Sequence, residues 1–417
     1  MAQSDTLEEV LISAYNNSEL LKGSDYLLAI QDENIAQTTA KSRPSLSLNL
    51  GTTYQANNAN NEQDNSLGGN IELLSEYALT DFGANDISVE IEKISKQVAV
   101  LNRTQVEQMV LMSAVTSYQE VLKANNLLDL ERNNLKSLES QLEAATSRFE
   151  LGNISRTELS LVEARIAAAK GNVKTREGQV DIANERFHLA VGRYPINLAT
   201  SQFNFEIPKD IASAIELANQ YNPALALAKL AVIIAQHQRE LVKVQVSKPV
   251  INLRGSASSN QNFRNFNETP RNNLTIGVQT SIPLYTGGRL SSALRQSEQN
   301  LQKIRIDLKQ EAKLQENEII NAWHMYEIAD SLINVYLQQQ DYSELALQGT
   351  KVEESLGTKS TLDVLEAEQE LLSAQTQLVE AIIERDLAQF TLLSKIGVLT
   401  MDYLGLDPGL ETETDGS

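Results

Sequence analysis

Hydrophobic and polar side chains alternate in four short stretches of the chain. Residues 45–50 read SLSLNL, with leucine at every second position, and residues 274–282 read LTIGVQTSI with the same period. Residues 67–73 and 251–255 alternate more briefly. A period of two is typical of a β-strand with one apolar face. The pattern predicts four strands, at about 44–56, 66–79, 249–260 and 273–285.

Each predicted strand pair is followed by a long stretch that contains no proline. The two stretches cover 84–151 and 289–356, and each would be roughly 100 Å long as a helix. In the first, apolar residues recur at alternating intervals of four and three from Ile87 to Leu101, which is the spacing of a coiled-coil seam. Shorter helices are predicted around them. They cover residues 5–41, 155–191, 210–246 and 360–397.

The chain repeats itself once. Five pairs of asparagine, proline and glycine residues are each separated by 205 positions, in the same order in both halves. Such an ordered set indicates an internal duplication, with a first repeat over 1–205 and a second over 206–417 that ends in a C-terminal tail. Each repeat is predicted as helix, strand, polar loop (57–66 or 260–272), strand, long helix, turn and helix. The pairs are Asn17 and Asn222, Pro44 and Pro249, Gly83 and Gly288, Gly152 and Gly357, and Gly192 and Gly397.

Composition narrows the class of protein. Only 5% of the residues are aromatic, which favours long helices over a compact globular core. The formal net charge of −20 argues against a nucleic-acid partner, because phosphate binding requires a basic surface. The absence of cysteine excludes disulfides and a thiolate zinc site. The N-terminus lacks the features of a signal peptide, so either the protein is cytosolic or its signal has been removed.

Four strands cannot close a barrel by themselves. Their lengths suit a tilted crossing of a bilayer, but a four-stranded sheet leaves two open edges, which lipid does not tolerate. Closure requires about eight or more strands, so several chains would have to contribute, and three would supply twelve. The other interpretation is a small sheet in water that caps a helical bundle. Alternation alone does not distinguish a lipid environment from a protein core.

Four passages resemble the TolC-type outer-membrane efflux proteins: SIPLYTGGRLSSALRQSEQNL, LGTKSTLDVLEAEQELLSAQ, RFELGNISRTEL and QYNPALALAKLAV. The resemblance covers nearly the whole chain. It implies a mainly α fold with a small β part, in which a long α-helical coiled-coil barrel joins a trimeric, 12-stranded transmembrane β-barrel with four strands per chain. It further implies a homotrimer in the outer membrane of a Gram-negative bacterium, with a long periplasmic extension and its signal peptide removed.

The function implied by the resemblance is an exit duct of a tripartite efflux or type I secretion system. The duct would passively conduct drugs or secreted proteins to the exterior. Its partners would be a periplasmic adaptor (membrane fusion) protein, an inner-membrane pump and outer-membrane lipid. No nucleophile–base set or metal-ligand spacing is present, so we expect no enzyme activity, no metal and no cofactor. The alternative function is a non-membrane structural coiled-coil scaffold with a small β cap.

An all-acid stripe marks the second repeat only. Asp363, Glu366 and Glu370 are spaced i, i+3 and i+7 and share one helix face, whereas the first repeat has Leu161 and Arg165 at the last two matching positions. A solvated helix face also explains such a stripe. The resemblance implies that the stripe lines the periplasmic constriction, where three chains would bring the carboxylates close together.

The resemblance assigns three further sets of residues. Gate links between neighbouring coiled coils would be made by Thr157, Glu158, Glu354 and Lys359. The strand-to-helix swivel would contain Gly83, Pro283, Gly287 and Gly288. The adaptor-docking tips would contain Leu151, Gly152, Asn153, Ser155, Leu356, Gly357, Thr358 and Ser360. Independently of the resemblance, the tip glycines are expected to end helices as left-handed caps, since glycine has no Cβ to clash.

Overall fold

The computed structural model describes residues 5–59, 62–199, 207–263, 269–407 and 409. These residues form helices and strands in an order that occurs twice: two helices, two strands and two helices. The first set is α1 (Leu7–Asn17), α2 (Glu19–Ala40), β1 (Ser45–Ala59), β2 (Glu62–Thr80), α3 (Ala84–Glu150) and α4 (Arg156–Val191). The second set is α5 (Ile211–Tyr221), α6 (Pro223–Ser247), β3 (Val250–Asn262), β4 (Arg271–Ser281), α7 (Arg289–Ser355) and α8 (Thr361–Ile396).

The hydrophobic pattern suggests single helices over 5–41 and 210–246, but each of these segments forms two. The break falls at Ser18 in the first and at Asn222 in the second, and both residues have extended backbone with ψ of 113° and 116°. Pro223 begins α6 at the first helical position, where its missing amide hydrogen breaks no helical bond. One residue with extended backbone therefore divides each helix, although the apolar pattern continues across it.

The four strands form one antiparallel sheet in the order β1-β2-β3-β4. Its first hairpin is longer than the alternation predicts, because β1 continues to Ala59 and β2 begins at Glu62, within the predicted loop 57–66. Backbone pairing extends the ladder through a stretch whose side chains show no apolar alternation. Residues 60 and 61, and residues 264–268 of the second predicted loop, lie outside the described residues.

The sheet has one apolar and one polar face. On the apolar face Leu48 lies opposite Leu73, and Leu253 lies opposite Val278. Leu48 and Val278 are 60% and 64% exposed, respectively. On the polar face Glu76 of β2 lies opposite Arg254 of β3, whose Nε donates to the Glu76 carboxylate at 2.7 Å. Leu48 and Val278 of the apolar face thus lie largely uncovered by protein in the described part of the chain.

Two compact units divide the chain, and each takes segments from both repeats. The helical unit consists of Met1–Ser24, Asn102–Leu225 and Ala312–Ser417. The sheet unit consists of Asp25–Leu101 and Ala226–Glu311. Of the helices that the structure describes, none is both long and apolar enough to cross a membrane.

The asparagine landmarks of the duplication lie against the ends of α4 and α8 inside the helical unit. Asn17 Nδ2 donates to the carbonyl of Val191 at 3.1 Å, next to Gly192. In the second repeat Asn222 Nδ2 donates to the carbonyl of Lys395 at 2.8 Å, two residues before Gly397. The surrounding core is built from large side chains that are fully buried. They include Leu7, Leu11, Leu111, Tyr118, Phe187, Leu392, Leu393 and Ile396.

Candidate functional site

The tips of the two long helices end in the same turn. Gly152 and Gly357 have φ angles of 76° and 78°, in the left-handed region that glycine adopts without strain. The amide after each glycine donates to the carbonyl five positions earlier, at 2.8 Å in the first repeat and 3.0 Å in the second. Leu151 and Leu356, which precede the glycines, are 76% and 73% exposed. Each tip therefore combines a helix-ending glycine with a solvent-facing leucine.

A capping box begins the helix that follows each tip. Ser155 Oγ accepts from the amide of Glu158 at 3.2 Å, and the Glu158 carboxylate accepts from the Ser155 amide at 2.7 Å. Ser360 and Asp363 form the same pair of bonds at 3.3 Å and 2.8 Å. The Ser360 hydroxyl also donates to Asp363, and together these bonds lower the pKa of the Asp363 carboxyl. Asp363 therefore serves as an ionised helix cap.

The residues of the predicted acid stripe differ in their surroundings. The Asp363 carboxylate is bonded to the start of α8, whereas Glu366 and Glu370 are exposed. Glu368, which lies between them in sequence, is only 7% exposed. Its Oε1 lies 2.9 Å from Lys351 Nζ and accepts from Ser137 Oγ at 2.9 Å. One buried oxygen thus contacts side chains of α7 and α3.

Sequence reasoning missed Glu368, although a signal was present. Val364, Leu365 and Leu372 form the buried face of α8 at this level, and Glu368 has the same helical phase. A carboxylate at an apolar phase is rarely buried unless it is paired. The helical phase of Glu368 does not predict its partners Lys351 and Ser137, because both lie on other helices.

The predicted gate residue Glu354 has its partner within the chain. Arg148, at the end of α3, donates through Nη2 to Glu354 Oε2 at 3.1 Å and through Nη1 to Oε1. Thr361 Oγ1 donates to the same Oε1 at 3.3 Å. The hydrogen bond from Arg148 lowers the pKa of Glu354, and its counterpart raises the pKa of Arg148. This two-pronged contact joins the ends of α3 and α7.

The other predicted gate residues have local surroundings. Lys359 Nζ lies 3.7 Å from the Asp363 carboxylate, one turn further along the chain. The Glu158 carboxylate is bonded to Ser155 in the capping box. Thr157 is exposed. In the described chain, Lys359 contacts Asp363 from the turn before α8, Glu158 is bonded within the first turn of α4, and the two are not paired with each other.

The predicted swivel residues lie between strand and helix in both repeats. Gly83, Gly287 and Gly288 have φ angles of 87°, 62° and 84°, and Pro283 lies between β4 and α7. Phe82 occupies the position that matches Gly287 and has a φ of 57°. A bulky residue rarely adopts this conformation. The first repeat therefore keeps the geometry of the turn although phenylalanine replaces the glycine.

The polar contacts at the tips and along α8 are ion pairs and hydrogen bonds between helices. Such links hold helix ends together and can be broken by modest changes in charge or pH. Within the part of the chain that the structure describes, no cluster of three or more acidic or histidine side chains is arranged to hold a metal ion.

Comparison with known proteins places these features in a family. A model of the outer membrane efflux protein family matches residues 12–193 and 214–398. The chain belongs to this family. Outer membrane efflux protein BepC of Brucella suis biovar 1 (strain 1330) is 28% identical over 407 residues, which cover 97% of this chain and 88% of BepC. Outer membrane protein TolC of Escherichia coli (strain K12) is 23% identical over 437 residues, which cover 98% of this chain and 86% of TolC.

The fold of this efflux protein is also found in solved structures. The structure of CusC superposes with a TM-score of 0.81 over 94% of this chain and 92% of CusC, at 17% sequence identity. The predicted TolC-type resemblance and the mainly α fold with four strands are confirmed. The protein is an outer-membrane efflux protein with a periplasmic extension, and its relatives are channel proteins, not enzymes.

Proposed function

We propose that this efflux protein is the exit duct of a tripartite efflux or type I secretion system and works as a homotrimer. Its partners would be a periplasmic adaptor and an inner-membrane pump, and its cargo drugs or secreted proteins. The main supporting observation is the two-faced sheet. Leu46, Leu48 and Leu50 are 60–70% exposed on its apolar face, as a strand facing lipid requires.

The strand order supports assembly from several chains. β1 and β4 are the outer strands, and in the described part of the chain each has one edge without a neighbouring strand. An open edge in hydrocarbon leaves amide and carbonyl groups without hydrogen bonds, at a cost of several kcal/mol for each group. Pairing β1 of one chain with β4 of the next removes both edges, and three chains then supply twelve strands.

The acid stripe and the tips complete the proposal. The exposed Glu366 and Glu370, with the capping Asp363, would narrow the periplasmic end of the duct. Lys359, Glu158, Thr157 and Glu354 would help to hold the coils in the closed state. The exposed Leu151 and Leu356, with the turns around them, would meet the adaptor. Gly83, Pro283 and the pair Gly287–Gly288 would let the strands turn into the helices.

Site-directed labelling tests the membrane assignment. The chain has no cysteine, so single cysteines can be introduced without background labelling. Nitroxide labels at Leu48→Cys and Val278→Cys should be relaxed strongly by oxygen, which concentrates in hydrocarbon. Labels at Asn49→Cys, on the opposite face, should respond to a water-soluble relaxant. If Leu48→Cys and Val278→Cys are as accessible to the aqueous relaxant as Asn49→Cys, the apolar face does not contact lipid and the scaffold alternative is favoured.

A further inference from the structure

We propose that Glu368 is a positioning residue that fixes the rotation of α8 about its own axis and thereby aims Glu366 and Glu370. The role of those two acids in a constriction rests on the proposed function. The placement of Glu368 does not, because it follows from contacts within one chain. Glu368 belongs neither to the predicted acid stripe nor to the predicted gate links.

The position of Glu368 on the helix decides where the acid stripe points. Val364, Leu365 and Leu372 are buried on one face of α8, and Glu368 lies near the middle of that face. Glu366 and Glu370 are each two residues away, which is about 200° of rotation. While Glu368 is held inward, the stripe must point outward. A rotation of α8 by about 100°, the angle between successive residues, would turn the acid stripe toward a neighbouring helix.

The contacts of Glu368 join three helices at one carboxylate oxygen. Lys351 of α7 lies 2.9 Å from Oε1, and Ser137 of α3 donates to the same atom at 2.9 Å. The Lys351 side chain is 47% exposed and the Glu368 side chain 7% exposed, so only one partner of the ion pair is buried. Buried ion pairs contribute little net stability compared with apolar side chains of similar size, but they can select one arrangement over others.

A polar groove that opens to solvent lies beside Glu368. Its volume is 170 Å³, and its lining includes Asn133, Asn134, Leu347 and Gln375. The second carboxylate oxygen, Oε2, is buried and has no hydrogen-bond partner among the described residues. Apolar packing of Val364, Leu365 and Leu372 restrains α8 on its buried side, whereas the polar groove restrains it weakly. The directional contact with Lys351 and Ser137 therefore selects this orientation among the rotations that the groove would allow.

Thiol modification measures the orientation of α8 in the full-length protein. A single cysteine replaces Glu370, and its rate of reaction with a small water-soluble maleimide is followed in detergent. A cysteine at Ser160 of α4, which is exposed, provides the control site. In the otherwise native protein we expect one fast phase at position 370. Three backgrounds are compared: Glu368→Gln; Glu368→Leu with Lys351→Met; and the charge swap Glu368→Lys with Lys351→Glu.

The expected results separate orientation from stability. In the apolar double variant the reaction at position 370 should slow at least threefold and split into several phases, while the thermal unfolding midpoint stays the same or rises. Glu368→Gln should also give several phases, because it retains the shape but loses the ion pair. The charge swap should restore one fast phase, and Ser160→Cys should react equally in all backgrounds. A single fast phase at position 370 in both the apolar double variant and Glu368→Gln would overturn the positioning role.

This outcome is distinguishable from failure of the proposed function. If neutralising Glu366 and Glu370 leaves ion selectivity and cation block of the reconstituted channel unchanged, the constriction lies elsewhere. The labelling kinetics would still report the orientation of α8. Conversely, unchanged labelling kinetics would remove the role of Glu368 and leave the channel assignment intact.

Discussion

The contact between Arg148 and Glu354 should determine how readily the tips of α3 and α7 separate. Replacing Glu354 with glutamine removes the charge while preserving the size of the side chain. Glutamine offers only one acceptor oxygen, so the Arg148 guanidinium keeps at most one of its two hydrogen bonds, and the ion pair is lost. We expect the last turns of both helices to open more often, with little change elsewhere.

The magnitude follows from the exposure of the two partners. Glu354 is 13% exposed, but Arg148 is 39% exposed, so water screens much of the attraction. A two-pronged contact of this kind should contribute about 1 kcal/mol. That free energy corresponds to about a fivefold change in the local opening constant, since about 1.4 kcal/mol is tenfold. Global stability should change little, because neither Arg148 nor Glu354 belongs to the large buried cluster around Leu111 and Phe187.

The same contact predicts the direction of a pH effect. Arg148 holds the pKa of Glu354 below its ordinary value of 4.5. A carboxyl with a lowered pKa in the folded state stabilises that state fully above its ordinary pKa, and this contribution disappears as the pH falls through the lowered value. Tip protection should therefore decline below about pH 4.5 in the native protein. In Glu354→Gln, position 354 no longer titrates, so it should contribute no pH dependence to tip protection.

Hydrogen exchange of the tip amides provides the assay. Peptides spanning 145–152 and 350–358 should exchange about fivefold faster in Glu354→Gln, after correction for intrinsic rates. Glu353→Gln is the matched control, because Glu353 is the adjacent acid and is exposed. If Glu353→Gln accelerates exchange as much as Glu354→Gln, or if neither does, the contact with Arg148 does not hold the tips together.

Two further predictions concern the channel and the core. The double variant Glu366→Gln with Glu370→Gln removes two exposed carboxylates per chain and leaves the cap at Asp363 intact. In planar bilayers it should reduce cation selectivity and the block by divalent cations added from the periplasmic side. Unchanged block would show that these acids are only a solvated face. Gly397→Ala should lower the thermal unfolding midpoint much more than Gly357→Ala. A Cβ at position 397 would lie 2.6 Å from the Asn222 Cα, whereas a Cβ at position 357 would meet only open space. Equal midpoints for the two variants would contradict the packing argument.

Features with a strict period or a backbone requirement could be predicted from the sequence. Alternation at 45–50 and 274–282 locates β1 and β4, because side chains on a pleated strand must alternate between faces. The sequence predicts left-handed caps at the tip glycines, and their φ angles confirm this. The helix break at Ser18 was not predicted, since one extended residue interrupts the backbone without disturbing the apolar pattern around it.

Contacts between distant segments could not be predicted in the same way. Arg148 and Glu354 are 206 positions apart, and Ser137 and Glu368 are 231 apart. No local period connects such pairs, and only the tertiary arrangement of α3, α7 and α8 brings them together. Asp363 belongs to the predicted acid stripe, and its additional capping role follows from Ser360 three positions earlier. The S/T-x-x-D/E spacing at residues 360–363 was therefore a usable local signal.

The two tips show which parts of a duplicated unit remain alike and which diverge. The glycine turns and the capping boxes match at an offset of 205 positions, because both depend on backbone geometry that the fold imposes. The side chains at matching positions differ. Arg156 lies over the ring of Phe149 at 5.9 Å in the first tip, whereas Thr361 donates to Glu354 in the second. The first pairing joins residues of a single tip. In the second, Glu354 also binds Arg148 of the first repeat, so a change of charge at one carboxylate alters the link between the two long helices.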